Sequence, residues 1–358
     1  MSDMLEYLKW RGDILFSELP LNPVDALIFS TLCYIRFEGI VPEVPQRWIT
    51  LKEAAEEFFA REEHENLVRV PEDLELLHAA ARSPRFSRVG LSFYQSVLVP
   101  AQETQFAAMT CYLEDGSAYL AFRGTDNSLV GWKEDFNMTF LESIPAQRMA
   151  QGYTQAFAAV SGAPMRLGGH SKGGNLAVYA AAKSDPTIQE RIIEVYNQDG
   201  PGFTERMLLD PGYLAMVPKI RTYVPQSSVF GMMLEHEGDY TVVRSRETGL
   251  MQHDPHSWEV MGAGFITAEA VTESSHFVDR TLKSWLATMT IPERNEFVDT
   301  VFELLGTGET SQVNQVLRPQ NIRTYLKTLQ NDDKMRRLIA TELAGLVRSA
   351  VNAQKSLE

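Results

Sequence analysis

The spacing of apolar residues divides the chain into a helical part, a strand-rich part and a second helical part. In residues 1–90 the apolar positions recur every three to four residues, as at 24, 27, 28, 31, 32 and 35, which predicts amphipathic helices. Thr50 with Glu53 three residues later predicts a capping box at a helix start. Residues 71–81 predict a further helix. We place no catalytic chemistry in this part of the chain.

Between residues 91 and 265 short apolar runs alternate with helical patterns. Asp115-Gly116 between two apolar runs predicts a hairpin, because this pair suits the positive φ angles of a tight turn. The alternation predicts an α/β fold, with a mainly parallel sheet covered by helices on both faces and the hairpin at its start. The predicted strands are 107–113, 117–123, 164–168, 191–198, 219–224 and 240–245, and the predicted helices are 153–160, 175–183 and, more weakly, 203–215.

Beyond residue 265 the helical spacing returns, and it predicts helices over 273–289, 292–305, 321–329 and 332–351. We therefore expect three parts. Residues 1–90 form a helical segment packed on the core, and residues 91–265 form the α/β core. Residues 266–358 form a helical segment that belongs to the same domain or caps it.

Composition narrows the class of protein. A hydrophobic content of 44% and a charged content of 22% are ordinary for a folded soluble chain. The net charge of −14 argues against nucleic acid or an anionic membrane surface as a partner. Cys33 and Cys111, each between apolar residues, suggest free thiols in a reducing compartment. The first residues lack a signal-peptide pattern, and the apolar run 24–35 is too short to span a bilayer. We expect a cytoplasmic protein without a transmembrane segment, and the oligomeric state stays open.

A nucleophile motif lies at the centre of the strand-rich part. Gly169-His170-Ser171-Lys172-Gly173 matches G-x-S-x-G, in which a sharp strand-to-helix turn exposes a serine. The glycines are required because a Cβ at either position would collide where strand and helix nearly touch. A predicted strand precedes Ser171 and an alanine-rich helix follows it, so the context fits. A phosphate-binding loop would need its lysine elsewhere.

A serine nucleophile needs a base, and in elbow enzymes the acid and then the histidine follow the serine along the chain. His64 and His78 precede Ser171, His276 lies in a helical region, and His170 is expected to point to the other side of the elbow. His236, His253 and His256 remain. We favour His253, in the loop after the last predicted strand. Reading His253 and His256 as a metal pair lacks a third ligand, so no metal and no cofactor is expected.

The acid and the oxyanion donors are predicted from strand ends. Asp199 follows the strand 191–198, at the edge where catalytic groups collect in open α/β sheets. Asp254, Glu235 and Asp239 are weaker alternatives, and an Asx-type turn is a structural explanation for Asp199. The backbone N–H of Lys172 is one expected oxyanion donor, and Thr125 or Asp126 after the strand 117–123 supplies the other. Gly124 would let the backbone approach a substrate.

These motifs resemble a known family. Phe122-Arg123-Gly124-Thr125 followed by the elbow resembles the class 3 lipases of the α/β-hydrolase superfamily. The elbow with Asn175-Leu176-Ala177, together with the stretches 197–202, 224–229 and 252–258, is similar to a bacterial family of lipase-like α/β hydrolases with a domain of unknown function. That closer likeness covers residues 20–260 and implies the fold and a Ser-His-acid site. In class 3 lipases the acid usually follows the strand that corresponds to 219–224, where this chain has Pro225-Gln226-Ser227-Ser228 and no carboxylate.

The sequence therefore predicts a serine hydrolase that cleaves an ester or thioester through an acyl-serine intermediate, with Ser171, His253 and Asp199 as the reacting groups. The expected partner is a small acyl ester or a lipid-like substrate. Two alternatives stay open. One is a catalytically silent hydrolase fold that binds a ligand or a partner, for which the missing carboxylate after 219–224 is the best support. The other is a peptidase or acyltransferase with the same residues, because these differ in pocket walls and water access.

Overall fold

An eight-stranded sheet organises the computed structural model, which describes residues 2–126, 128–234, 239–308, 311–312 and 315–355. The spatial order of the strands equals their order in the chain. The first four strands pair antiparallel, and from the fourth to the eighth every pairing is parallel. The strands are β1 (Trp48–Thr50), β2 (Gly90–Val99), β3 (Thr104–Tyr112), β4 (Ala118–Phe122), β5 (Met165–His170), β6 (Ile192–Gln198), β7 (Ile220–Pro225) and β8 (Tyr240–Val243).

Fifteen α-helices lie in the described residues, and a small antiparallel pair, β9 (Val260–Met261) and β10 (Gly264–Phe265), lies outside the sheet. The helices are α1 (Met4–Arg11), α2 (Pro23–Leu32), α3 (Leu51–Phe59), α4 (Glu72–Arg82), α5 (Pro84–Ser87), α6 (Leu129–Met138), α7 (Pro145–Val160), α8 (Lys172–Ala182), α9 (Pro186–Gln189), α10 (Glu205–Leu208), α11 (Pro211–Met216), α12 (Glu273–Ala287), α13 (Ile291–Gly306), α14 (Pro319–Asn331) and α15 (Asp333–Lys355).

Side chains of β4 show how the sheet is covered on both faces. Tyr119 and Ala121 belong to a hydrophobic cluster with the N-terminal helices, whereas Leu120 and Phe122 belong to a second cluster with α7 and α8. This alternation follows from the two-residue period of a strand. All five residues of β4 are buried, as expected for a strand between two helical layers. The prediction of an α/β-hydrolase-type sheet with helices on both faces is confirmed.

Several local predictions are confirmed by the hydrogen bonds. The hairpin joins β3 to β4, with Gly116 at φ 81° in its turn. Thr50 and Glu53 form the capping box of α3. The weak helix over 203–215 is two short helices, α10 and α11, since Asp210 caps the second one and Pro211 begins it. The mostly helical first part also contributes one strand, β1, which adds an antiparallel edge to the sheet.

The C-terminal helices pack against the core through α12 and α13. Trp285 of α12 and Phe297 of α13 form a hydrophobic cluster with Phe140, which lies just after α6. The long helix α15 covers α12 from outside, and the indole N–H of Trp285 donates to the carbonyl of Glu342 at 3.0 Å. In the described part of the chain, none of the helices combines the length and the apolar character that a bilayer crossing needs.

Candidate active site

Ser171 lies in a strained turn between β5 and α8. Its φ of 59° and ψ of −133° are unfavourable for a residue with a side chain. A Cβ on Gly169 would come within 2.3 Å of the Gly173 carbonyl carbon, and a Cβ on Gly173 would come within 2.1 Å of the Phe122 carbonyl oxygen. The turn therefore needs a glycine on each side of Ser171, because strand and helix backbones meet there.

The structure brings Ser171, His253 and Asp199 together. His253 Nε2 lies 2.9 Å from Ser171 Oγ, and His253 Nδ1 lies 2.6 Å from Asp199 Oδ2. Asp199 is fully buried, and His253 is about one fifth exposed. The imidazole is thus held between a hydroxyl and a carboxylate, with Nδ1–H donating to Asp199 and Nε2 left to accept from Ser171. This tautomer is the one that a general base needs.

Asp199 reaches His253 from the end of β6. Its φ of 55° turns the chain sharply after the strand, and its backbone N–H donates to the Tyr223 carbonyl of β7 at 2.8 Å. The segment after β7, which lacks a carboxylate, supplies a donor instead, because Ser228 Oγ donates to Asp199 Oδ1. A Cβ on Gly231 would lie 2.3 Å from the same oxygen. The segment after β7 therefore packs around a carboxylate that comes from the neighbouring strand.

The alternative bases and acids lie elsewhere or have other partners. His256 Nε2 lies 2.8 Å from Asp73 Oδ1, and Asp254 accepts from Arg69 at 3.0 Å. Asp239 is exposed, just before β8. His236 and Glu235 lie outside the described residues. Among the described alternatives, none approaches Ser171 in the way His253 does.

His170 does not point away from the site, so that expectation is wrong. Its ring packs against the His253 ring at 4.6 Å between centroids, and its Nε2 lies 2.8 Å from the His253 carbonyl oxygen. A carbonyl only accepts, so Nε2 carries the proton and Nδ1 accepts from the Tyr34 hydroxyl at 3.0 Å. Burial lowers the pKa of His170 well below its usual range, which keeps the ring neutral beside His253.

Tyr34 and Arg69 bring the N-terminal segment into the site, although we placed no catalytic chemistry in that segment from its sequence. Both line one cavity with Ser171 and His253. The Arg69 guanidinium lies 4.9 Å from the centre of the Tyr34 ring, and it pairs with Asp254 at 3.0 Å and with Asp73 at 3.8 Å. The loop that carries His253 is therefore fastened to the N-terminal segment. No sequence motif indicates these contacts, because they join polar residues that lie far apart in the chain.

The backbone around Gly124 approaches Ser171 closely. A Cβ on Gly124 would lie 2.5 Å from the His170 carbonyl oxygen and 3.1 Å from Ser171 Cβ. Thr125, which follows, lines the cavity that holds Ser171, and its hydroxyl donates to the Asp135 carboxylate at 2.6 and 2.8 Å. Asp126 is turned to its own loop, where it accepts from the Ser128 N–H at 2.9 Å. Of the two residues predicted for the second donor, the arrangement favours Thr125.

Lys172 is the first residue of α8, so its backbone N–H lies in the first turn, where N–H groups lack intrahelical acceptors. The side chain of Lys172 points into the protein and is 1% exposed. Its ammonium donates to Glu134 at 3.0 Å and to the side-chain and main-chain oxygens of Gln105 at 2.6 and 2.9 Å. All three ammonium protons are thus used, and they tie the elbow to α6 and β3.

Asp135 is a titratable group at the site that the sequence did not single out. Burial raises its pKa from 3.8 to about 6, although the Lys172 ammonium and the Thr125 hydroxyl oppose that rise. It borders both cavities that contain Ser171. Within the described residues no cluster of three or more His, Cys, Asp or Glu side chains is arranged to hold a metal ion.

Comparison with known proteins places this site in a family. A family model described as Mbeg1-like matches residues 80–303, which include β2 to β10 and every residue placed at the site except those of the N-terminal segment. No curated protein sequence matches the chain significantly.

Solved structures with a similar course of the chain include a mutant form of MDLA from Penicillium cyclopium. It is 10% identical, with 70% of this chain and 87% of that chain covered and a TM-score of 0.39. Another is the Rhizomucor miehei lipase propeptide complex, 14% identical, with 77% of this chain and 87% of that chain covered and a TM-score of 0.35. Since the family model spans more than half of the chain, the chain belongs to the Mbeg1-like family.

Proposed function

We propose that this protein is a serine hydrolase that cleaves an ester or thioester, in the manner of lipases and esterases, through a covalent acyl-serine. The observation that carries the proposal is the continuous contact from Ser171 Oγ through His253 to the buried Asp199, at 2.9 and 2.6 Å. It lies in a strained elbow and opens into two cavities. Such a site activates a hydroxyl that is otherwise a weak nucleophile.

In the first half of the reaction His253 Nε2 takes the proton of Ser171 as Oγ attacks the carbonyl carbon of the substrate. The imidazolium that forms is stabilised by Asp199, whose carboxylate stays ionised. When the tetrahedral intermediate collapses, the bond from carbon to the leaving oxygen or sulfur breaks, and His253 gives its proton to the leaving group. The acyl group remains on Ser171.

Negative charge on the carbonyl oxygen needs donors that are already oriented. We assign this role to the backbone N–H groups of Lys172 and Thr125. Lys172 is held by its buried ion pair with Glu134, and Thr125 is held by the Asp135 carboxylate. Lys172 and Thr125 are therefore both fixed by side-chain contacts, so that little reorganisation is required during the reaction.

In the second half a water molecule attacks the acyl carbon, with His253 as the base. The bond to Ser171 Oγ breaks, Oγ recovers a proton from His253, and the carboxylic acid leaves. The silent-fold alternative rested on the missing carboxylate after β7, and Asp199 within 2.6 Å of His253 removes that reason. We favour an ester or thioester over a peptide as the substrate because an apolar cavity beside Ser171 suits an acyl chain.

The test is labelling of the purified protein with a fluorophosphonate probe, read by intact mass. We expect wild type to gain one probe and Ser171→Ala to gain none. His253→Ala and Asp199→Asn should label at least 100-fold more slowly. Asp239→Asn, which alters an exposed carboxylate just before β8, is the matched control and should label at nearly the wild-type rate. A folded wild-type protein that resists the probe, or Ser171→Ala that still reacts, would overturn the proposal.

A further inference from the structure

Two cavities of about 200 Å³ each meet at Ser171. One, the apolar cavity, is walled mainly by hydrophobic side chains, among them Phe136, Met138, Val229, Met233 and Leu282. The other, the polar cavity, contains Tyr34, Arg69, Asp126 and His170. Trp132, Asp135 and Phe230 border both cavities, so the nucleophile stands at the junction of two chemically different spaces.

The charged residues at the apolar cavity do not make it polar. The Lys172 ammonium is buried and donates all its protons to Glu134 and Gln105. The Asp135 carboxylate accepts from Thr125 on the side of the polar cavity. Apolar walls of this kind favour binding of an uncharged hydrocarbon chain, because each methylene removed from water contributes about 0.8 kcal/mol of binding free energy.

The volume of the apolar cavity limits the chain that it accepts. One water-sized group occupies about 30 Å³ of a liquid, so a cavity of about 200 Å³ holds roughly six or seven methylene-sized groups. A chain of twelve or more carbons would have to displace the wall. Leu282 lines this cavity from α12 of the C-terminal segment and packs with Phe140 and Trp285.

The polar cavity carries charges of both signs that already have partners. Arg69 pairs with Asp254 at 3.0 Å, and Asp126 lies 3.8 Å from Arg123. Neither a cation nor an anion would find an excess of opposite charge there. The hydroxyl of Tyr34, the guanidinium of Arg69 and the carboxylates instead suit a neutral group that both donates and accepts hydrogen bonds.

Building on the proposed function, we propose that the substrate is an ester of a short acyl chain, of about four to seven carbons, with a small neutral polar alcohol. The acyl chain occupies the apolar cavity and the alcohol occupies the polar cavity. Leu282, which lines the apolar cavity from α12, sets the upper limit of chain length. The C-terminal helices thereby take part in specificity.

The chain-length experiment measures kcat/KM for p-nitrophenyl esters from acetyl to palmitoyl. Wild type should be best at about four to seven carbons and at least tenfold weaker at twelve. Leu282→Ala removes three carbons from the wall and should move the optimum up by about three carbons, while Leu282→Trp should move it to acetyl or propionyl. Leu286→Ala, one turn along α12 in the same cluster, is the matched control and should leave the optimum unchanged.

The alcohol experiment compares monobutyrin, whose alcohol is neutral, with butyrylcholine and with glycerol-phosphate butyrate, whose alcohols carry a positive and a negative charge on the same butyryl chain. Monobutyrin should be cleaved at least tenfold faster than either charged ester. Labelling with the fluorophosphonate probe distinguishes a failure of the short-chain inference from a failure of the proposed serine hydrolase function. A protein that labels at Ser171 but prefers twelve or more carbons, or whose optimum Leu282→Ala does not move, overturns the short-chain inference and leaves the serine hydrolase intact. A protein that does not label overturns both.

Discussion

His170 donates from Nε2 to the backbone carbonyl of His253 at 2.8 Å, so the residue before Ser171 supports the residue that contacts the Ser171 hydroxyl. The Tyr34 hydroxyl fixes the other ring nitrogen of His170 at 3.0 Å. Burial keeps this imidazole neutral by lowering its pKa. A neutral ring matters at 4.6 Å from His253, because a second positive charge would oppose the imidazolium formed during the reaction.

Replacing His170 by phenylalanine should slow acylation without removing the nucleophile. The His253 carbonyl and the Tyr34 hydroxyl would each lose their hydrogen-bond partner, at a cost of about 1–3 kcal/mol each. The loop that carries His253 would then no longer be held in its position. We expect kcat to fall about tenfold or more with KM little changed. Tyr34→Phe keeps the donor to His253 and should lose no more than about threefold. Equal losses in both variants would contradict a role of the His170 N–H in holding the loop.

Replacing Asp199 by asparagine tests the carboxylate from β6. The asparagine oxygen still accepts from Ser228, while its amide faces His253 Nδ1 and favours the tautomer with a proton on Nε2, which cannot accept from Ser171. We expect kcat to fall about 10⁴-fold with the protein still folded. Steady-state kinetics and circular dichroism check this. Retention of more than a tenth of the activity would show that another group orients His253.

The elements that the sequence predicted best are those fixed by local chemistry. The elbow glycines, the Asp115-Gly116 hairpin and the Thr50 capping box each depend on residues a few positions apart, and each has its expected geometry. The parallel pairing of β4 to β8 follows from the alternation of these strands with helices. The short strand β1 was missed because three residues are too few for a period-two pattern to show.

The sequence alone does not decide whether His253 or His256 contacts Ser171. The two residues lie three positions apart in one loop, and each has a carboxylate partner far away in the chain, Asp199 for one and Asp73 for the other. The two histidines are distinguished by tertiary packing, which brings α4 with Asp73 to His256 and the end of β6 with Asp199 to His253. The same reason hid the buried contacts of the Lys172 side chain, whose partners Glu134 and Gln105 come from other elements.

Lys172→Met should destabilise the protein, because it leaves the fully buried Glu134 carboxylate without its cation. Breaking one partner of a buried pair costs about 3–5 kcal/mol. The double variant Lys172→Met, Glu134→Gln should recover part of this loss. Lys183→Met, which breaks a partly exposed pair with Asp210, is the matched control and should cost at most about 1 kcal/mol. Urea unfolding measures all three, and equal losses for Lys172 and Lys183 would contradict the buried pair.

Asp135 should make stability depend on pH. Its pKa is raised from 3.8 to about 6 by burial, so the folded protein binds the proton more tightly than the unfolded chain. That stabilising contribution is complete below about pH 4 and is lost as pH rises through 6, by up to about 3 kcal/mol. Asp135→Asn cannot titrate. The unfolding free energy of wild type minus that of Asp135→Asn should therefore fall between pH 4 and pH 7, and a constant difference would contradict the raised pKa.

Gly173→Ala should disrupt the elbow, while Gly152→Ala should not. A Cβ on Gly173 would lie 2.1 Å from the Phe122 carbonyl oxygen and 2.9 Å from its carbon, and this backbone can move only by separating β4 from α8. Overpacking of this kind costs about 1–3 kcal/mol, and displacement of Ser171 should reduce probe labelling at least 100-fold. Gly152, inside α7, has no atom within 4 Å of an added Cβ, so alanine there should stabilise the helix by about 1 kcal/mol. Urea unfolding and labelling of both variants check this, and a Gly173→Ala protein that labels at the wild-type rate would show that the elbow tolerates a side chain.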